Sequence, residues 1–113
     1  GDYPFWLAPE QVRLLPVTDE VQPYAEQVLD QLTKAGVRAT IDRSGDRLGK
    51  LIRTGEQMKI PVLAVIGAKE AEQNAVSLRS RRDGDLGVTA VADLLSAAQM
   101  ANSERAAGLE LNR

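Results

Sequence analysis

Cysteine and histidine are both missing from this 113-residue sequence. Without cysteine there is no disulfide framework and no thiolate metal site, and a reducing compartment is compatible with the chain. Without histidine there are no imidazole ligands, no Ser-His-Asp or Cys-His nucleophile arrangement, and no general base of the usual kind near neutral pH. Conventional catalysis is therefore not expected of these residues. Aromatics make up only 4%, and Tyr3, Phe5, Trp6 and Tyr24 all precede position 25. The rest of the chain has no ring on which a nucleic-acid base could stack, and Phe5 and Trp6 read as core anchors. No apolar run approaches the ~20 residues of a membrane span, and no basic-then-apolar leader opens the sequence. Starting at Gly1 with GDYPFW, it reads as a piece of a longer protein. Gly36, Gly45, Gly49 and Gly55 match neither of the nucleotide-cradling glycine patterns, and the carboxylate pairs Glu70/Glu72 and Asp83/Asp85 lack metal-loop spacing.

What is present is an ordinary globular balance, 43% hydrophobic and 27% charged, in a length typical of one domain. Net charge is −2, yet the charge is unevenly placed. Residues 38–82 hold ten Lys/Arg against five Asp/Glu, while the remainder holds four against eleven. Such an asymmetry fits either a directed basic face on an acidic domain or an uneven scatter of solvated charge.

Periodicity predicts the order β-α-β-α-β-β-β-α. The run 12–17 (VRLLPV) has strand length, with Pro16 restricting it to a strand end or edge. A helix follows, with Thr18 and Asp19 as N-cap candidates, Val21, Tyr24, Ala25, Val28, Leu32 and Ala35 on one stripe, and Gly36 as its stop. Residues 37–41 (VRATI) alternate as a second strand. After the loop 42–46 a second helix runs over 47–58, with Leu48, Leu51, Ile52 and Gly55 facing inward. Residues 62–66 (VLAVI) are apolar on both faces, as in a central covered strand. Gly67 begins a turn, 75–81 alternates as a strand, and Asp83-Gly84 marks a hairpin. A brief strand at 86–88 precedes a helix capped by Thr89, with Val91, Leu94, Leu95, Ala98 and Ala101 inward. The domain proper is expected over 1–102, with 103–113 as a frayed polar tail. Strands alternating with helices and a late hairpin predict an α/β layer fold with a mixed sheet.

Two basic faces follow from these elements. Strand residues two apart share a face, so Ser77, Arg79 and Arg81 point together while Val76 and Leu78 take the core side. On the second helix Arg47, Lys50, Arg53 and Thr54 lie opposite the Leu51 side. Arginine's planar fork of donors suits phosphate oxygens and the edge of guanine, and lysine acts as a point charge. Glu70, beside Lys69, repels phosphate but accepts from base amino and imino groups, so it suits specificity more than affinity. Solvated surface charge is the competing reading for each of these residues.

Four stretches resemble the C-terminal anticodon-binding domains of threonyl-tRNA synthetases: WLAPEQV (6–12), DRSGDRLGKLIR (42–53), KIPVLAVIGAKE (59–70) and VSLRSRRDGDLG (76–87). The resemblance covers roughly the first 95 residues. It implies a mixed five-stranded sheet flanked by three helices, the anticodon-binding fold of class II synthetases. It also implies a domain that grips the anticodon stem-loop of threonine tRNA and reads the G and U of the second and third anticodon letters. By motif position, Glu70 and Arg79 are implied as base contacts, and Arg53 and Arg47 as part of the anticodon surface. Arg81, Arg82 and Lys50 are expected to add to it. The sequence departs from the family's common pattern at Gly45, Lys50, Leu51, Val62 and Ala68.

The implied whole protein is a cytoplasmic threonine–tRNA ligase, a homodimer using ATP, Mg and Zn in a catalytic body absent here. The fragment is expected to be non-catalytic, monomeric and without a cofactor. The alternatives are an anticodon-type domain of a synthetase paralogue or related class II synthetase, and a protein-interaction module on the same fold.

Overall fold

The most apolar segment organises the sheet. In the computed structural model, which describes residues 2–111, Val62–Ile66 forms β3 at the centre of a five-stranded sheet of order β2-β1-β3-β4-β5. β1 (Val12–Pro16) runs parallel to both β2 (Ala39–Ile41) and β3, whereas β4 (Ala75–Ser80) and β5 (Gly84–Ala90) join antiparallel. The helices are α1 (Gln22–Lys34), α2 (Leu48–Gln57), α3 (Ala68–Glu72) and α4 (Val91–Glu104). The mixed five-stranded α/β sheet is as expected. The helix count is corrected from three to four, because α3, AKEAE, is too short to show an apolar period.

The larger core lies between the sheet and the pair α1 and α4. Val28 and Leu32 of α1, Leu94 and Ala98 of α4, and Leu14 and Leu78 of the sheet are all buried there. A fully buried Leu or Val contributes about 1.5–3 kcal/mol relative to an exposed one. The opposite side of the sheet holds a smaller cluster of Leu15, Leu51, Ile60 and Leu63, covered by α2. Gly55 lets α2 close onto β3, since a Cβ there would stand 2.6 Å from Leu63 Cδ2.

Four local expectations are corrected. The first long helix begins at Gln22 after a single 3-10 turn, Asp19–Val21, and Val21 is its N-cap. Pro23 in the first helical turn sets that boundary, because its fixed φ suits the start of a helix and its missing N–H costs nothing there. The N-cap of α4 is Ala90, not Thr89, which lies buried in β5 opposite Val76. The ladder to β4 extends β5 to Ala90 and so outcompetes an early helix start. Leu48 is 38% exposed, leaving Leu51 and Gly55 buried and Ile52 partly buried against the same cluster as the inward positions of α2. Finally, the expected tail at 103–111 is held against the body. Arg105 ends α4 in the left-handed conformation (φ 55°), and Ala106 N–H returns to Ala101 O at 2.8 Å. Phe5 N–H then bonds Ala107 O at 2.8 Å, and the Arg105 guanidinium sits 5.2 Å from the Trp6 ring centroid. Apolar contact from Leu109 and Leu111 completes the seal. Residues 112–113 lie outside the described part.

One polar side chain sits wholly inside. Gln11 is 0% exposed. Its Nε2 donates to Phe5 O (2.8 Å) and Asn102 Oδ1 (2.6 Å), and its Oε1 accepts from Arg38 N–H (3.0 Å). It thereby ties the N-terminal segment, the approach to β2 and the end of α4 to the start of β1.

A second polar knot gives the fold a pH dependence. Arg13 donates through Nε and Nη2 to the two oxygens of Glu10 at 2.7 and 2.9 Å, and Thr40 donates to Glu10 Oε2. Burial pushes the Glu10 carboxyl up, but the bonds from Arg13 and Thr40 outweigh it and hold the group below its ordinary 4.5. A carboxylate depressed on folding stabilises the fold above its unfolded pKa, and that stability is lost as pH falls through the folded value. Denaturant melts from pH 6 to pH 3 should therefore show stability falling below about pH 4.5. Glu10→Gln should cost on the order of 1 kcal/mol at pH 6 and flatten part of the slope.

Candidate nucleic-acid interface

Five strands are too wide for one helix. On its side of the sheet α2 closes an apolar cluster with Leu15 of β1 and Leu63 of β3. On the same face β4 and β5 present Ser77, which Glu70 of α3 engages, with Arg79 and Val88, and Val88 is 54% exposed. Alternation explains the choice of face. Val76 and Leu78 point into the large core, so Ser77 and Arg79 take the other side.

A β-bulge aims the outer pair. Leu78 stands opposite Gly87 but Arg79 stands opposite Asp85, so Leu86 is the extra residue. Gly87 takes a positive φ of 76°, a conformation L-residues with side chains rarely adopt. Asp85 Oδ1 accepts from Gly87 N–H at 2.8 Å. The carboxylate opposite Arg79 is thus turned back onto its own strand and forms no ion pair with it.

Arg79 is half-buried in a cleft of about 300 Å³ whose walls include Glu56, Ile60, Leu63 and Arg81. Glu56 belongs to the last turns of α2, and Arg53, three residues earlier, neighbours it on the helix surface. Arg53 does not line that cleft itself; it lies one turn before Glu56 on α2. As the crossover between parallel β2 and β3, α2 runs back against the strand direction. Its start, at Arg47, accordingly lies toward the end of the sheet from which Glu70 follows β3. Arg47 and Arg53 are exposed. Arg47, Arg53 and Arg79 make no side-chain hydrogen bond or ion pair among the described residues.

The remaining cations expected at the site are engaged. Lys50 pairs with Asp46 at 3.6 Å and Arg82 with Asp83 at 3.9 Å. Arg81 Nε donates to Asp2 Oδ2 at 2.7 Å, and its Nη1 donates to Glu56 O at 2.8 Å. Arg81 thus closes the end of the cleft as a clamp between the N-terminal segment and α2. Arg82 turns toward the C-terminal segment, where a Cβ on Gly108 would meet its Nη1 at 2.9 Å. The exposed Lys50 and Arg82 pairs contribute little to stability.

Glu70 is the residue that the structure changes most. Its Oε1 accepts from Gly67 N–H at 2.6 Å, the back-reaching half of a capping box on α3, and its Oε2 accepts from Ser77 Oγ at 3.2 Å. Burial and then the Glu70 carboxylate push the Tyr24 phenol above its ordinary value. Tyr24 itself donates to Ala75 O at 2.7 Å. Glu70 is therefore a carboxylate of fixed orientation at the head of β4. Ser77, which the sequence places only by its face, turns out to be its partner. No feature of the sequence marks that contact beyond the shared face.

No group of three His, Cys, Asp or Glu side chains suited to a metal occurs among the described residues, and none of the described helices is long and apolar enough to cross a membrane.

The face of β4 thus brings together Arg79, which has no side-chain partner among the described residues, the clamped Arg81, and the oriented carboxylate of Glu70. The anticodon binding domain family matches residues 11–100, and the chain belongs to that family. Within it, the relatives are of the threonyl branch. The chain is 97% identical over its full 113 residues to the threonine–tRNA ligase of Synechococcus sp. (strain CC9605), and 62% identical over 96 residues, 85% of the chain, to that of Thermosynechococcus vestitus. It spans 18% and 16% of those two proteins. Among solved structures, the RNA binding domain of threonyl-tRNA synthetase from Cryptosporidium parvum Iowa II superposes with a TM-score of 0.81 at 27% identity, over 97% of this chain and 26% of that one. Histidyl-tRNA synthetase from Nostoc sp. PCC 7120 matches at 0.74 and 30% identity, over 79% of this chain and 21% of that one. The threonyl resemblance carried by the four motifs is borne out.

Proposed function

We propose that this domain binds the anticodon stem-loop of threonine tRNA on the β4 and β5 side of its sheet and selects that tRNA for a threonine–tRNA ligase. The carrying observation is the conjunction of an unpaired, half-buried Arg79 with an oriented Glu70 on one open face. Arg79 offers a planar pair of donors to a base edge, and Glu70 offers acceptors only, so the two read complementary chemistry. Arg47 and Arg53 supply positioning contacts to phosphates, to which Lys50, Arg81 and Arg82 add when their present partners yield. In the whole protein, the ATP, Mg and Zn chemistry belongs to parts beyond these residues, and the ligase works as a cytoplasmic homodimer while this domain alone is monomeric.

The test is a titration of the domain against a threonine-anticodon stem-loop, beside a loop with the anticodon G and U exchanged. The true loop should bind tighter, and both should weaken linearly in log–log terms as salt rises, by about 0.7 in slope per phosphate contact to a single strand. Equal binding of the two loops would leave a basic RNA-affine surface without base choice. Binding to neither, at any salt, would favour a protein-interaction role for this face.

A further inference from the structure

We infer that Ser77 is a specificity-determining positioning residue: its hydroxyl sets the plane of the Glu70 carboxylate, and so decides which base edge that carboxylate accepts. The inference rests on the anticodon-reading function proposed above and adds a residue to it.

A glutamate side chain at a surface turn has three rotatable bonds and would ordinarily sample many orientations, losing entropy each time it docks. Here both oxygens are held. The Gly67 N–H fixes Oε1 at 2.6 Å, and the Ser77 hydroxyl fixes Oε2 at 3.2 Å. The first bond is local, within one turn of α3. It anchors one oxygen but leaves the group free to rotate about that contact. The second comes from a different element, β4, and removes that freedom. A carboxylate has about four acceptor positions, so two remain after these bonds. They accept amino and imino donors of a base and reject carbonyl oxygens.

The geometry also registers Glu70 to Arg79. Ser77 and Arg79 are two residues apart on one strand face, roughly 6–7 Å along β4. Because Ser77 holds Glu70, the acceptor group and the donor fork are referred to a single rigid strand rather than to a loop and a strand. Ser77 is half-buried at this open face and takes no place in either apolar cluster, so its hydroxyl is not needed to fill a core.

The experiment compares the wild-type domain with Ser77→Ala and Ser77→Thr, each titrated against the true and the exchanged stem-loops. Thermal melts and the salt dependence of binding are recorded for each. Losing the hydroxyl should reduce the preference for the true loop about tenfold, the loss expected for one hydrogen bond to a charged group. Binding of the exchanged loop and the salt slope should be unchanged, because no cation is touched. Ser77→Thr keeps the donor and should restore the preference. Three results overturn the inference: a full preference retained in Ser77→Ala, equal weakening of both loops, or a loss of preference that Ser77→Thr does not restore although it melts like wild type. A wild-type domain without any preference is a distinct outcome that removes the anticodon-reading function itself, and this inference with it.

Discussion

Replacing Gln11 by alanine should destabilise the domain by roughly 3–5 kcal/mol, out of a total stability on the order of 5–15 kcal/mol. The side chain is 0% exposed and engages three separate elements. Truncation leaves Phe5 O, the Asn102 amide and Arg38 N–H facing a dry cavity, and each buried polar group left unpaired costs about 1–3 kcal/mol. Asn102 retains some recourse because it is only half-buried, which places the expected total below the simple sum. In a chain of this length the melting temperature should fall by about 15–25 °C. Gln11→Met separates the two components: it keeps the volume and loses the bonds, so its smaller loss measures the unpaired groups and the difference from alanine measures the cavity. Urea denaturation of both variants checks this. A loss below about 1 kcal/mol for the alanine variant would mean that water enters and satisfies the orphaned groups.

Arg79→Ala should act on specificity and hardly on stability. The Arg79 side chain makes no hydrogen bond or ion pair among the described residues, so truncating it orphans nothing in the folded chain. A bidentate base contact discriminates by about 1–3 kcal/mol, so the preference for the true anticodon loop should fall roughly 5- to 150-fold. The informative companion is Arg79→Lys, which retains the charge and discards the planar fork. It should bind the exchanged loop as the wild type does and still lose the preference. If lysine preserves the preference, Arg79 acts as a point charge and base choice lies elsewhere. Arg53→Ala provides the contrast, expected to weaken both loops alike and to lower the salt slope by about 0.7.

These expectations differ in where their information resides. That residues 62–66 form the centre of the sheet, and that Arg79 points away from Val76 and Leu78, follows from apolar runs and the period of two. Periodicity is a local property, and the core enforces it: a one-residue slip of β4 would bury arginine. The inward stripe of α1 was legible for the same reason. The four motifs also carry the threonyl identity, since they name particular residues at particular spacings.

Other features depend on partners far away in the chain, and no local pattern announces them. Arg79 and Arg81 look equivalent as strand neighbours, yet Asp2, 79 residues away, engages only Arg81. Gln11 reads as an ordinary polar residue until Asn102, 91 residues on, meets it inside the core. Glu70 could be read as a loop carboxylate beside Lys69; β4 had to fold against it before Ser77 could fix its direction. The amino-acid order alone thus determined which faces are apolar and which carry charge, because neighbouring residues set those through backbone geometry. The tertiary fold decided which charges stay free and which are oriented, because ion pairs and hydrogen bonds form between whichever groups the packed core brings within about 3 Å.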